Sequence, residues 1–142
     1  MNLKTFEYER TYIENDEVKK EPRKATFYFS ADVLVNLSSV GIKGMTELSN
    51  RMQEQDLGTF AKIGFLAHKT ACRLKKEELT IESVDEMSDL IQSVGLVDFI
   101  EYAGMAIAEV MKIEIDGLSK SEKKNLVKST SRKSGKQPIK AG

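Results

Sequence analysis

Tryptophan is absent from this chain, and cysteine and histidine occur once each, as Cys72 and His68. A lone cysteine excludes an internal disulfide framework and fits a reducing compartment. One histidine and one cysteine together fall short of the ligand count that zinc sites use, so no metal and no cofactor is expected. No apolar run approaches the ~18 residues of a membrane span; the longest apolar region, Leu96 to Met111, is broken by Asp98, Glu101 and Glu109. The opening "MNLKTFEYER" has no apolar stretch of the kind a secretory leader carries, so none is expected. "GIKGMT" contains two glycines but has neither the spacing nor the Gly-Lys-Ser/Thr ending of a phosphate-binding loop.

What is present is a chain of 142 residues with 40% apolar content, enough for one core. Its zero net charge is unevenly spread. Residues 1–117 hold 14 Lys/Arg against 21 Asp/Glu, whereas residues 118–142 hold 8 against a single glutamate. An acidic body of 1–117 followed by a basic tail of 118–142 is the expected organisation. The tail sequence "TSRKSGKQPIKAG" has the composition of disorder.

The expected fold class is α+β, mainly α: an N-terminal antiparallel hairpin over 1–30 and about five helices over 31–112. In "TFEYERTY" the aromatics Phe6, Tyr8 and Tyr12 alternate with polar residues, the period of a strand. "KATFYFS" repeats the signal, with Phe27 and Phe29 on one face. Glu14-Asn15-Asp16 supplies turn chemistry and Pro22 interrupts a ladder, which points to a long or irregular turn. A two-stranded ribbon is marginal alone and must pack on helices or on another subunit.

After Ser30 the period becomes helical. A short helix starting at Ser30 or Asp32 runs to Leu37, and Gly41 and Gly44 punctuate. "MTELSNRMQEQ" makes a second helix that ends before Gly58. Asp56 caps a third, whose stripe is Phe60, Ile63, Ala67, Ala71 and Leu74. Thr80 is the expected cap of a fourth helix with Ile81, Val84, Met87 or Ser88, Ile91 and Val94 on its apolar face, ended by Gly95. In the fifth, Leu96 to Lys112, apolar residues cover more than half the circumference, so it is central or partner-facing. Gly64 and Gly104, each costing about 1 kcal/mol against alanine, are expected at close helix approaches.

Catalytic chemistry is hard to assemble from these residues. His68 and Cys72 stand four apart on a helix, the spacing of a nucleophilic pair, yet no orienting group accompanies them at a recognisable spacing. A packing histidine and a buried structural thiol are the expectation. Asp85, Glu86, Asp89, Asp98 and Glu101 can in principle do acid–base work; on amphipathic helices they read as a solvated face. The tail lysines and arginines could neutralise phosphates, but the tail has no aromatic side chain to stack on bases. Besides Met1, the dispersed methionines Met45, Met52, Met87, Met105 and Met111 suit either a core or an adaptable binding surface.

The extended segment "ATFYFS", the short helix "ADVLVNLSSVGI", then "DLGTFAKIGFLAHKTACRL" and "LTIESVDEMSDLIQSVGLVDFIEYAGMAIAEVM" together resemble the tail assembly chaperones of long-tailed phages and prophages of Gram-positive bacteria, over about residues 25–112. The resemblance implies a non-catalytic protein of the host cytoplasm. Such a protein coats the tape-measure protein, keeps it soluble until tail-tube subunits polymerise around it, and is absent from the mature virion. The expected partners are thus the tape-measure and tail-tube proteins; self-association is left open, and neither a membrane nor, as the main partner, a nucleic acid is expected. The candidate partner-binding face is Leu96, Phe99, Ile100, Ile107 and Met111, with candidate tail contacts at Lys123, Lys124, Lys128, Arg132 and Lys133. The resemblance also implies a longer form made by programmed frameshifting, for which Lys123-Lys124-Asn125, encodable by A-AAA-AAC, is the candidate slip site. A structural tail or head–tail completion protein and a small nucleic-acid binder using the basic tail are the alternatives.

Overall fold

The computed structural model describes residues 3–116, with side chains described through Lys112. Strands β1 (Leu3–Glu14) and β2 (Glu17–Tyr28) pair antiparallel from Leu3 opposite Tyr28 to Glu14 opposite Glu17. The connection is only Asn15-Asp16, with both residues at positive φ, 54° and 63°. That is the turn whose twist matches a hairpin, and Asn and Asp are the non-glycine residues that best tolerate it. The expected long or irregular turn is therefore replaced by a tight one.

Pro22 does not interrupt the ladder either. A two-residue turn closes on a hydrogen-bonded pair, here Glu14 and Glu17, and hydrogen-bonded and open pairs alternate from there. Pro22, opposite Glu9, falls on an open pair, where an amide would face away from the partner strand. The same alternation turns the amides of Glu9 and Thr11 outward. They donate to Ser93 Oγ (3.0 Å) and to Asp89 Oδ2 (3.3 Å). One edge of the hairpin is thereby covered by a helix, while the β2 edge carries Lys20, Pro22 and Lys24, residues that discourage further strand pairing.

The inner face of the hairpin brings Phe6, Tyr8, Ala25 and Phe27 onto the helices α1 (Ala31–Val35), α2 (Met45–Gln53), α3 (Leu57–Lys75), α4 (Met87–Val94) and α5 (Leu96–Asp116). Ser30 Oγ caps α1 and Asp56 Oδ1 caps α3 by accepting the amides of Asp32 and Gly58. β2 lies on α3 and β1 on α4, and α3 also packs on α1 and α5. The core is one cluster running from Tyr8 and Phe27 through Val33, Leu48, Ile63 and Leu90 to Phe99 and Ile107. Phe6, Phe27, Phe29, Phe99 and Tyr102 meet largely edge to face, with centroids 5.1–6.4 Å apart, the arrangement their ring quadrupoles favour. Among the described residues no helix is long and apolar enough to cross a membrane.

Three local expectations change. α4 starts at Met87, not after Thr80: residues 80–83 are irregular, and a 3-10 turn follows at Val84–Glu86. Leu74 leaves the α3 stripe and is 54% exposed, because α3 has by then passed beyond the elements that cover it. Of the two glycines, only Gly64 marks a close approach. A Cβ there would lie 2.7 Å from Met87 Cε and 2.8 Å from Phe99 Cζ, whereas nothing comes within 4 Å at Gly104. The expectations for residues 118–142 fall outside the described residues.

Candidate functional site

His68 and Cys72 lie on the buried side of α3, which faces β2 and the 80–83 segment. The His68 ring is fully buried. Its Nδ1 is 2.9 Å from the carbonyl oxygen of Thr26, an acceptor, so Nδ1 carries the proton and donates. Nε2 then accepts from two backbone amides, Thr80 N at 3.0 Å and Ile81 N at 3.1 Å. Burial holds the ring's pKa below its ordinary value, opposed only in part by the Thr26 carbonyl.

These contacts tie the irregular 80–83 segment to α3 and, through the Thr26 carbonyl, to β2. His68 thus brackets the hairpin, α3 and the approach to α4. Cys72 Sγ sits 3.5 Å from Nε2, but that lone pair is already shared by the two amides, and burial pushes the thiol pKa up. Neither partner is set up as a base or a thiolate.

The carboxylates are dispersed. Asp89 takes the Thr11 amide and Glu86 Oε1 takes the Glu82 amide at 3.0 Å, while Asp85, Asp98 and Glu101 are exposed. Asp32 accepts from Thr70 Oγ1 and Arg73 Nη2, both at 2.9 Å, and these bonds hold its carboxyl below the usual range. Among the described residues no group of three or more His, Cys, Asp or Glu side chains is placed to hold a metal ion.

The surface feature best suited to binding is apolar. The first turns of α3, the 3-10 turn with α4, and the start of α5 enclose an open groove of about 670 Å³. Leu57, Ala61, Val84, Ile91 and Leu96 line it, and Asp85 is the only charged residue in its lining. Leu57 and Leu96 remain 42% and 47% exposed at its mouth. The local folding follows from two chain breaks. The Asp56 cap starts α3 so that Leu57 and Ala61, four apart, share a face beside the buried stripe. Gly95, at φ +104°, breaks α4 from α5 and sets Leu96 beside Ile91.

The expected partner face on α5 divides. Phe99 and Ile107 are buried in the chain's own core, Ile100 and Met111 are half-buried along its margin, and Leu96 stands at the groove. Leu57, Ala61, Val84 and Ile91 join Leu96 from other elements. The Leu57–Ala61 spacing was the one available sequence signal for them, as a second apolar stripe beside the main one on α3. Further along α5, Met105 is 71% exposed and Gly104 leaves open space beside it. Lys123, Lys124, Lys128, Arg132 and Lys133 lie outside the described residues.

No protein-family model matches the chain, and no curated protein or solved structure is significantly similar to it.

Proposed function

We propose that this protein is a tail assembly chaperone: a non-catalytic binder of the phage tape-measure protein in the host cytoplasm, which holds that partner soluble, helps recruit tail-tube subunits, and is left out of the virion. The observation that carries the reading is the exposed apolar groove between α3, α4 and α5. A long helical partner that must stay soluble presents apolar stripes, and a groove of this kind accepts an amphipathic helix by its i, i+3, i+4 and i+7 side chains. The acidic body surrounding the groove keeps such a complex in solution. The mouth leucines are only half covered, which suits an affinity low enough for displacement when tube subunits arrive.

Co-expression with the tape-measure protein tests the reading. The expected product is a soluble complex with several copies of this chain per partner, and Leu57→Asp together with Leu96→Asp should reduce the yield at least tenfold while leaving the free chain folded. A tape-measure protein that is equally insoluble with and without this chain overturns the proposal. Recovery of this chain in purified virions would instead favour a structural tail component.

A further inference from the structure

We propose that the outer stripe of α5, formed by Val97, Ile100, Gly104, Ala108 and Met111, is the site where a second copy of this chain docks, its α5 antiparallel to the first. Spacing and exposure define the stripe. Val97, Gly104 and Met111 recur every seven residues, and Ile100, Gly104 and Ala108 every four, so the five share one side of the helix. Phe99, Ala103, Ile107 and Val110 take the neighbouring side into the core. Val97 is 69% exposed, Ala108 is exposed, and Ile100 and Met111 are half-buried. A Cβ at Gly104 would meet nothing within 4 Å. The stripe thus has large side chains toward its ends and a shallow, glycine-centred middle, a form that lets a second helix approach closely.

The occupant follows from self-complementarity. Two antiparallel α5 helices with Gly104 opposite the partner's Ala108 are related by a twofold axis, so every contact occurs twice. The same register brings Ile100 level with the partner's Met111 and Glu101 level with the partner's Lys112, each to within one residue, about 1.5 Å of rise. Glu101 and Lys112 border the same side of the stripe, are exposed, and have no ion-pair partner among the described residues. One register therefore sets small against small, large against large and acid against base. Parallel helices in register would instead set Glu101 beside Glu101 and Lys112 beside Lys112, so charge selects the antiparallel pair. Leu96 stands about a quarter turn from the stripe, and the groove between α3, α4 and α5 is not the surface used. The inference therefore goes beyond the groove and holds whether or not the groove takes a tape-measure helix.

Sedimentation equilibrium of the full chain alone tests the pairing. A single helix pair is a small interface, so the mass should rise from 15.9 kDa toward twice that value as the concentration approaches roughly 100 μM. Lys112→Glu and Glu101→Lys, each on an exposed side chain, should leave the circular dichroism spectrum unchanged and weaken self-association about tenfold, because each sets two pairs of like charges face to face. An equimolar mixture of the two variants should recover wild-type affinity, since both contacts in the mixed dimer then join opposite charges. That recovery should shrink in about 0.5 M NaCl. Gly104→Gln, which fills the middle of the stripe in space the single chain leaves open, should keep the helical spectrum and remain monomeric. A wild-type chain that is monomeric throughout, a mixture no tighter than its two components, a dimer indifferent to Gly104→Gln, or oligomers that grow past two copies would overturn the proposal.

Discussion

Replacing His68 with leucine removes one donor and one shared acceptor and strands three backbone groups: the Thr26 carbonyl and the amides of Thr80 and Ile81. A buried polar group left without a partner costs about 1–3 kcal/mol. Ile81 is almost fully buried, so its amide bears a cost near the middle of that range, about 2 kcal/mol. Thr26 and Thr80 are half-buried and partly reachable by water, so each falls near the low end, about 1 kcal/mol. His68→Leu should therefore lose about 4 kcal/mol, a large fraction of the 5–15 kcal/mol typical of a domain.

Urea unfolding at pH 7.5 reads the total, and amide hydrogen exchange reads its location. Thr80 and Ile81 should lose protection well before amides in the middle of α3. The wild-type protein should also carry a pH signature. The folded pKa of His68 lies below the ordinary 6.5 of the unfolded chain, so below pH 6.5 the unfolded state binds a proton that the native state refuses. Stability is then complete above pH 6.5 and declines as pH falls toward the folded value, by at most ~1.4 kcal/mol per pH unit. This decline precedes carboxylate titration and should vanish in His68→Leu. A loss under 1 kcal/mol, unchanged exchange at Thr80 and Ile81, or an identical pH slope in the variant would refute the bracket.

Gly64 in α3 and Gly104 in α5 should respond in opposite directions. Gly64→Ala drives a methyl into the locked Phe99 ring and should destabilise by about 1–3 kcal/mol, less a helix-propensity gain of about 1, whereas Gly104→Ala meets open space and should gain about 0.5–1 kcal/mol in the same urea titration. Tyr102 packs its ring among Phe6, Phe29 and Phe99, but its buried hydroxyl has no partner among the described residues, and burial raises its pKa. Tyr102→Phe should thus hold or raise stability, by up to about 1 kcal/mol, and a loss above 1 kcal/mol would mean that the hydroxyl is bonded in solution.

Much of this fold is written locally. Alternation placed Phe6, Tyr8, Phe27 and Phe29 on the strand faces that reach the core, Asp56 announced α3, and Gly95 separated α4 from α5. The errors share a cause. Pro22 reads as a breaker until the register is known, because only the register decides whether its missing amide was needed. Thr80 reads as a cap until the segment it opens is seen lying irregular against His68, twelve residues away, with α4 starting only at Met87. Gly104 and Gly64 are equivalent in sequence, and only packing against Met87 and Phe99 tells them apart.

The candidate site shows the same division. Leu96 was visible as part of a wide apolar helix, but Phe99 and Ile107 on that helix go to the core, and the groove is completed by Leu57, Ala61, Val84 and Ile91 from α3 and α4. The sequence by itself determined the hairpin, most helix boundaries, the acidic body with its basic tail, and the total supply of apolar surface, because these depend on neighbours along the chain. Tertiary structure alone decided which of that apolar surface was buried and which was left open, because burial depends on which faces meet across long separations.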